Sequence, residues 1–287
     1  MAATHDRATQ DTGNIIALEH VNVCVPDQQV ATAFYIMGLG FTRDPYLVIG
    51  LDNMWVNIGR TQCHLPTAAP QRLRGTIGVV VPNLEALAQR LERIAPRLTG
   101  TQFGYQARSE RVEVTCPWGN RFYCHAPSAE YGPTDLGIVY VEFEVASGAA
   151  EGIARFYREV LSAAVTMETF GAKAVACVCA GTQKLLFRET DGELAPYDGH
   201  HIQIYIADFS GPYRFLSQRG LITQESSTYQ YRFCDIVDPD SGKALYTVEH
   251  EVRSLKHPLY ARPLVNRNPE QTNNNYVRGH DAFRGTC

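Results

Sequence analysis

Four stretches of the chain alternate apolar and polar residues as half-buried strands do: Ala17–Pro26, Gly75–Pro82, Gly137–Val145 and His200–Ala207. Each leads into a segment of helical spacing, at Asp27–Met37, Leu84–Ile94, Ala149–Leu161 and Pro212–Arg219. In the second of these, Leu84, Leu87, Leu91 and Ile94 fall on one face, so the helix has a single side to bury. Gly38 and Gly40 close the first helix, because glycine accepts the left-handed backbone that ends one. Strand-like runs follow every helix. They lie near Phe41–Ile49, Met54–Ile58 and Thr61–Leu65 in the first case and end at Arg121–Ala126 in the second. In the third they are Val165–Thr169, Ala172–Cys179 and Gln183–Arg188, and in the fourth Tyr231–Val237 and Ala244–Glu251.

The order strand, helix, strands thus occurs four times. Placing His20, Thr76, Tyr140 and His201 in register gives intervals of about 60 residues, the mark of an internal repeat. The predicted architecture is α+β: four βαβββ modules paired into two tandem open barrel-like domains. Pro127–Asp135, carrying Pro127, Gly132 and Pro133, reads as the linker between two halves of two units each. The expected domains are therefore 15–128 and 136–254. A polar, disordered lead-in (1–14) precedes them, and an irregular tail (255–287) with Pro258, Pro263 and Pro269 follows.

Composition narrows the classes of function. With 26 basic and 30 acidic side chains the formal charge is −4, which lacks the basic footprint of a nucleic-acid binder. No run approaches the roughly 18 apolar residues of a spanning helix, and the N-terminus has no apolar segment of the signal-peptide kind. The eight cysteines form no CxxC pair, and several sit in apolar strands as small hydrophobes, so the expectation is free thiols in the cytoplasm. GxSxG, GxxxxGK[ST] and HExxH are all absent, which removes support for a hydrolase elbow, a P-loop or a zincin. The expected partner is a small-molecule substrate, without nucleic acid or membrane, and a homodimer is left open.

The strand HVNVCVPD (His20–Asp27), followed by FYxxGLGF, resembles the opening of vicinal oxygen chelate modules, the glyoxalase, bleomycin-resistance and extradiol dioxygenase superfamily. CPWGNRFYCHAP (Cys116–Pro127) and DPDSGKALYTVEHE (Asp238–Glu251) are similar to its closing strands. The resemblance spans about residues 15 to 252. It implies paired modules curled into a cup, whose first and last strands hold a metal that binds two adjacent substrate oxygens. It further implies, for extradiol enzymes, iron on a histidine of the third opening strand, a histidine of the fourth and a glutamate of the last strand. Here Tyr140 occupies the first of those positions.

Strand parity supplies a separate reading, since residues two apart share a face. If Val21, Val23 and Val25 pack on the helix, His20, Asn22 and Cys24 face the cup. By the same rule His201, Gln203 and Tyr205 face it in the fourth unit, and Tyr140, Glu142 and Glu144 in the third. The closing strands of the first half add Gln62 with His64, and Tyr123 with His125. The N-terminal cup is then expected to gather His20, His64 and His125, which as neutral imidazoles suit iron, zinc or copper. The C-terminal cup is expected to hold His201 and Glu142 with either Glu249 or His250, depending on whether Ser241 adds a bulge. Two histidines and one carboxylate with open positions suit Fe(II) oxygen chemistry. Glu142, Tyr123 and Tyr140 are candidates for moving protons, although Glu142 and Glu144 have Arg155 or Arg158 as available partners. Trp55, Trp118, Gln62, Gln203, Tyr205, Tyr246 and His250 are expected to line the substrate pocket.

The favoured function at this level is a metal-dependent oxygenase, with Fe(II) as the divalent metal, that cleaves or oxidises a small aromatic or vicinal-oxygen substrate. Two alternatives stand beside it. One is a glyoxalase-type isomerase or lyase, and the other a metal-free protein that sequesters a small molecule.

Overall fold

The computed structural model describes residues 5–48 and 50–284. The first four residues of the expected lead-in, Ile49 at the end of one expected strand, and Cys287 lie outside them.

All four units are present. The first comprises β1 (Ile15–Asn22), α1 (Gln28–Ala31), β2 (Thr42–Arg43), β3 (Asn53–Ile58) and β4 (Thr61–Pro66). Its helix continues past α1 as wider turns over Thr32–Gly38, and Asp27 caps it by accepting from the Gln29 and Val30 amides. The second comprises β5 (Gly75–Val80), α2 (Leu84–Ile94), β6 (Gly104–Ala107), β7 (Arg111–Thr115) and β8 (Arg121–His125). The third has β9 (Gly137–Ala146), α3 (Ala150–Glu159), β10 (Val165–Phe170), β11 (Lys173–Ala180) and β12 (Gln183–Thr190). The fourth has β13 (His201–Ile206), α4 (Ser210–Gln218), β14 (Ile222–Ser227), β15 (Gln230–Val237) and β16 (Ala244–Ser254).

The strands form two open eight-stranded mixed sheets, an α+β architecture. One sheet runs β14-β15-β16-β13-β1-β4-β3-β2 and the other β10-β11-β12-β9-β5-β8-β7-β6. The first unit therefore pairs with the fourth, and the second with the third. This corrects the expected partnership of first with second and third with fourth: each sheet draws one unit from each half of the chain, and the segment 127–135 joins two units of the same sheet. The seams are antiparallel, β1 against β13 and β5 against β9, while each unit's first strand lies parallel to its last. Opening strands of similar alternation offer interchangeable edges, so alternation by itself does not choose among the possible pairings.

One face of each sheet is apolar. Val21, Val23 and Val25 are fully buried with Phe34 and Tyr35 of the first unit, and Ile202, Ile204 and Ile206 are buried in the same core. The two sheets meet along β1 and β4. Gln183 bonds Leu18 and Ile138 of different sheets, and Gly59 turns with φ +63 against Leu136, where an added Cβ would lie 1.8 Å from a carbonyl oxygen.

Both chain ends are more tied down than expected. Asn14 is buried and donates to the Leu161 carbonyl at 3.0 Å, and a short helical turn covers Arg7–Gln10. The tail fastens onto the first unit. Arg262 reaches Asp44, Asn266 bonds both the amide and the carbonyl of Gly59, and Arg267 donates to the Ile36 carbonyl. No helix among the described residues is long and apolar enough to cross a membrane.

Candidate metal centre

The seam between β1 and β13 sets the site. A bulge between Leu18 and His20 shifts the strand so that Glu19 and His20 both reach the concave face while Leu18 and Val21 stay in the core. Across the seam His20 faces Gln203 and Asn22 faces His201. On the other side of β1, His20 faces Gln62 and Asn22 faces His64, and beyond β13, His201 faces Glu249 and Gln203 faces Glu251. Parity within each strand and register between strands thus bring one imidazole from β1, one from β4 and one from β13 together.

His20, His64 and His201 offer ligand atoms that all lie within 4.8 Å of one another. Two nitrogens each about 2.1 Å from one ion lie no more than about 4.2 Å apart, so a bound ion would draw them in by a few tenths of an ångström. His20 is fully buried and His201 nearly so. Burial, reinforced by the nearby guanidinium groups, lowers the pKa of all three imidazoles, that of His64 to about 3. They are neutral at physiological pH, the state in which imidazole ligates. The free lone pairs are directed by neighbours: His64 Nε2 donates to Asn53 Oδ1 at 2.7 Å, which leaves Nδ1 unprotonated. His20 Nδ1 lies 3.5 Å from Glu19 Oε2, and its Nε2 has no hydrogen-bond partner.

That orphan is one of several in the same concavity. His201 Nε2, Asn22 Oδ1, Trp55 Nε1 and both amide atoms of Gln203 are also buried without a partner. Each such group costs about 1–3 kcal/mol if left unsatisfied, so a concentration of them at one place is a physical argument for a ligand or ion there. The donor set fits a divalent metal.

Beside the imidazoles runs a chain of alternating charges. Arg232 on β15 donates to Glu249 Oε1 at 2.5 Å and also to Glu251, and Arg253 donates to Glu19 at 2.9 Å and forms an ion pair with Glu251 at 2.6 Å. His201 Nδ1 lies 3.3 Å from Glu249 and its Nε2 3.6 Å from Glu251. Burial raises the pKa of the Glu19 carboxyl against the pull of Arg253 and a hydrogen bond from Tyr205. Three carboxylates against two guanidinium groups leave one net negative charge beside neutral ligands.

The second concavity is built differently. His125, expected beside His20 and His64, lies in the sheet of the second and third units, with Nε2 3.0 Å from Tyr140 Oη and Nδ1 3.2 Å from Tyr131 Oη. Tyr140 packs over Gly78, where a Cβ would meet its ring at 2.2 Å, so the ring fills the floor of this cup. Glu142, expected beside His201, is held instead by Arg188 at 2.7 Å, and Glu144 by Arg121 at 2.6 Å. Arg155 and Arg158, the partners expected for these glutamates, pair with other acidic residues. Tyr123 carries Arg111 over its ring, 4.2 Å from the centroid. None of these side chains has a buried orphan polar atom.

Of the expected pocket residues, Trp55, Gln62, Gln203 and Tyr205 lie in the histidine cup. Gln62 donates to Asp44 and Asn57, and Tyr205 stacks edge-on with Tyr260 of the tail. Three others lie elsewhere. His250 is a core residue stacked on Phe233, where its Nδ1–H donates to the Val248 carbonyl and its Nε2 accepts from Tyr157 Oη at 2.6 Å. Tyr246 packs against Phe143 and Phe187, and Trp118 sits on a turn against the second unit's core. Between Glu249 and His250, it is therefore Glu249 that shares the concave face with His201, and Glu251 joins it by the same parity. Glu251 and Arg253 were accessible to the alternation rule. Glu19 was not, because a bulge displaces it, and Arg232 and Asn53 are fixed only by cross-strand register.

No protein-family model matches the sequence, and no curated protein does. Among solved structures, the chain is similar to a putative dioxygenase from Bacillus subtilis subsp. subtilis str. 168, with 14% identity, 84% of this chain and 86% of that chain covered, and a TM-score of 0.57. Glyoxalase I from Zea mays is similar at 13% identity, covering 83% of this chain and 92% of that one, with a TM-score of 0.56. At these identities the likeness concerns the backbone. Four βαβββ units, two paired open sheets and matches covering more than four fifths of each chain together give this chain the fold of these two proteins.

Proposed function

We propose that this protein is a divalent-metal enzyme acting on a small molecule with two adjacent oxygens, and that its site is the concave face shared by the first and fourth units. The observation that carries the reading is the convergence of His20, His64 and His201, with ligand atoms within 4.8 Å and unpartnered polar atoms around them. The other cup has its polar atoms mutually satisfied and offers no comparable group among the described residues.

Within that reading, Fe(II) and oxygenase chemistry are favoured by one relationship. His20 and His201 stand on the opening strands of two paired units, and Glu249 on the last strand of one, the arrangement implied by the resemblance to extradiol enzymes. His20 takes the place that Tyr140 leaves without a ligand, because the first unit pairs with the fourth. A metal so held would acidify two bound substrate oxygens and polarise them as a Lewis acid. The chain's own residues do the rest: Gln203 offers one donor and one acceptor to the substrate, Trp55 supplies a flat wall, and burial excludes water. A divalent ion turns the local charge from one negative to one positive, which suits a monoanionic substrate.

A glyoxalase-type isomerase or lyase is supported by the fourth donor, His64, since more protein ligands leave fewer open positions. A set of free cysteines among the described residues is in keeping with a cytoplasmic location.

The deciding experiment is metal analysis of protein purified without chelator, for the wild type and for His20→Ala, His64→Ala, His201→Ala and His125→Ala. Near-stoichiometric metal in the wild type and in His125→Ala, with loss in the other three, is expected. Metal-free wild-type protein that also fails to take up added Fe(II) or Co(II) would sink the enzyme reading in favour of a sequestering protein. Oxygen uptake with a panel of catechols then separates oxygenase from isomerase.

A further inference from the structure

The contact that stands out beside the imidazoles is Arg232. Its guanidinium bridges Glu249 and Glu251, two residues apart on the same face of β16, and lies on the His201 side of the cup. The two carboxylates are not equally dependent on it. Glu251 has a second guanidinium partner in Arg253 at 2.6 Å, whereas Glu249 has no other guanidinium or ammonium partner among the described residues. Glu249 is also the carboxylate directly opposite His201 in the β13–β16 register.

We infer that Arg232 is a built-in counter-ion that holds Glu249 when no metal is bound and opposes metal binding, so that it sets the affinity of the site. The inference rests on the metal reading above. Its physical basis is competition for one carboxylate. One prong of the guanidinium gives Glu249 a charge-assisted hydrogen bond while the other holds Glu251, and a divalent ion must share or displace the first. Without Arg232 the network of Glu19, Glu249, Glu251 and Arg253 carries two net negative charges, which a divalent ion cancels. With Arg232 the loaded site keeps one positive charge. Arg232 thus gives up metal affinity and leaves a positive charge for an anionic substrate oxygen.

The sign of the effect is what makes this distinctive. Removing a group that merely orients a ligand typically costs roughly 10–100-fold in metal affinity. Removing a competitor raises it. The test is titration of the metal-free full-length protein with Co2+, read by visible absorption and by chelator competition, alongside thermal unfolding with and without Co2+. Arg232→Gln is expected to bind Co2+ roughly tenfold more tightly than the wild type, to unfold at a lower temperature without metal, and to gain more from added Co2+. Arg232→Lys, which keeps a cation but loses the two-pronged grip, is expected to fall between the two, and it carries the test if the Gln variant does not fold. Unchanged or weaker binding in these variants overturns the inference. If the wild type binds Co2+ and His201→Ala does not, that failure leaves the metal site standing. If neither the wild type nor the Arg232 variants bind Co2+, the site reading fails and the inference with it.

Discussion

The imidazole of His64 lies flat on the indole of Trp55, with ring centroids 3.8 Å apart and 11° between the planes, while Asn53 Oδ1 accepts a hydrogen bond from its Nε2–H at 2.7 Å. Two neighbours from one strand thereby fix both the plane and the tautomer of a candidate ligand, the task that outer contacts perform in metal sites. Asn53→Ala is expected to weaken Co2+ binding by roughly 10–100-fold with little loss of stability, because His64 remains stacked but free to present either nitrogen. Titration of the metal-free variant checks this. Wild-type affinity would mean that His64 is not a ligand through Nδ1.

Gln203 is fully buried with neither amide atom bonded, at the centre of the same face. Two unsatisfied polar atoms are a standing cost in the ligand-free protein, and Met has nearly the same shape without them. Gln203→Met should therefore stabilise the ligand-free protein, by about 1–3 kcal/mol in denaturant unfolding, and abolish substrate binding. A destabilised variant would show that the amide is satisfied by something within the fold.

Gly78 provides the control in the other cup. A side chain there meets the Tyr140 ring at 2.2–2.5 Å, and moving that ring breaks its bond to His125. Gly78→Val is expected to cost about 1–3 kcal/mol of stability through overpacking, yet to leave Co2+ affinity unchanged. A loss of metal binding in this variant would assign the second cup a part in the site.

Acid should destabilise the fold through its buried imidazoles. Burial lowers His250 and His125 to about 4, below the ordinary value of 6.5 that each regains on unfolding. Below pH 6.5 the unfolded chain takes up protons that the folded chain refuses, so stability falls as pH drops from 6.5 towards 4. Each group contributes at most about 1.4 kcal/mol per pH unit across that window. Denaturant midpoints at pH 7.5 and pH 5 measure the effect, and equal midpoints would contradict it.

Which side of each opening strand meets the cup was legible in the chain, because alternation is local. Val21, Val23 and Val25 went to the core, which left His20 and Asn22 on the concave face, and the three isoleucines of β13 did the same for His201 and Gln203. His250 shows the limit of that rule: it needed a long closing strand to be counted without error, and Glu249 and Glu251, not His250, share the face of His201.

The amino-acid sequence alone determined the four βαβββ units, their α+β class and the side of each opening strand on which His20, Asn22, His201 and Gln203 lie, since these follow from hydrophobic period and turn chemistry over a few residues. Only the tertiary structure decided that the first unit pairs with the fourth. That choice carries His20 and His64 to His201 and Glu249, and sends His125 and Glu142 to the other sheet. Four opening strands of like alternation can satisfy one another's backbone bonds in more than one arrangement, and which arrangement forms depends on contacts between residues far apart in the chain.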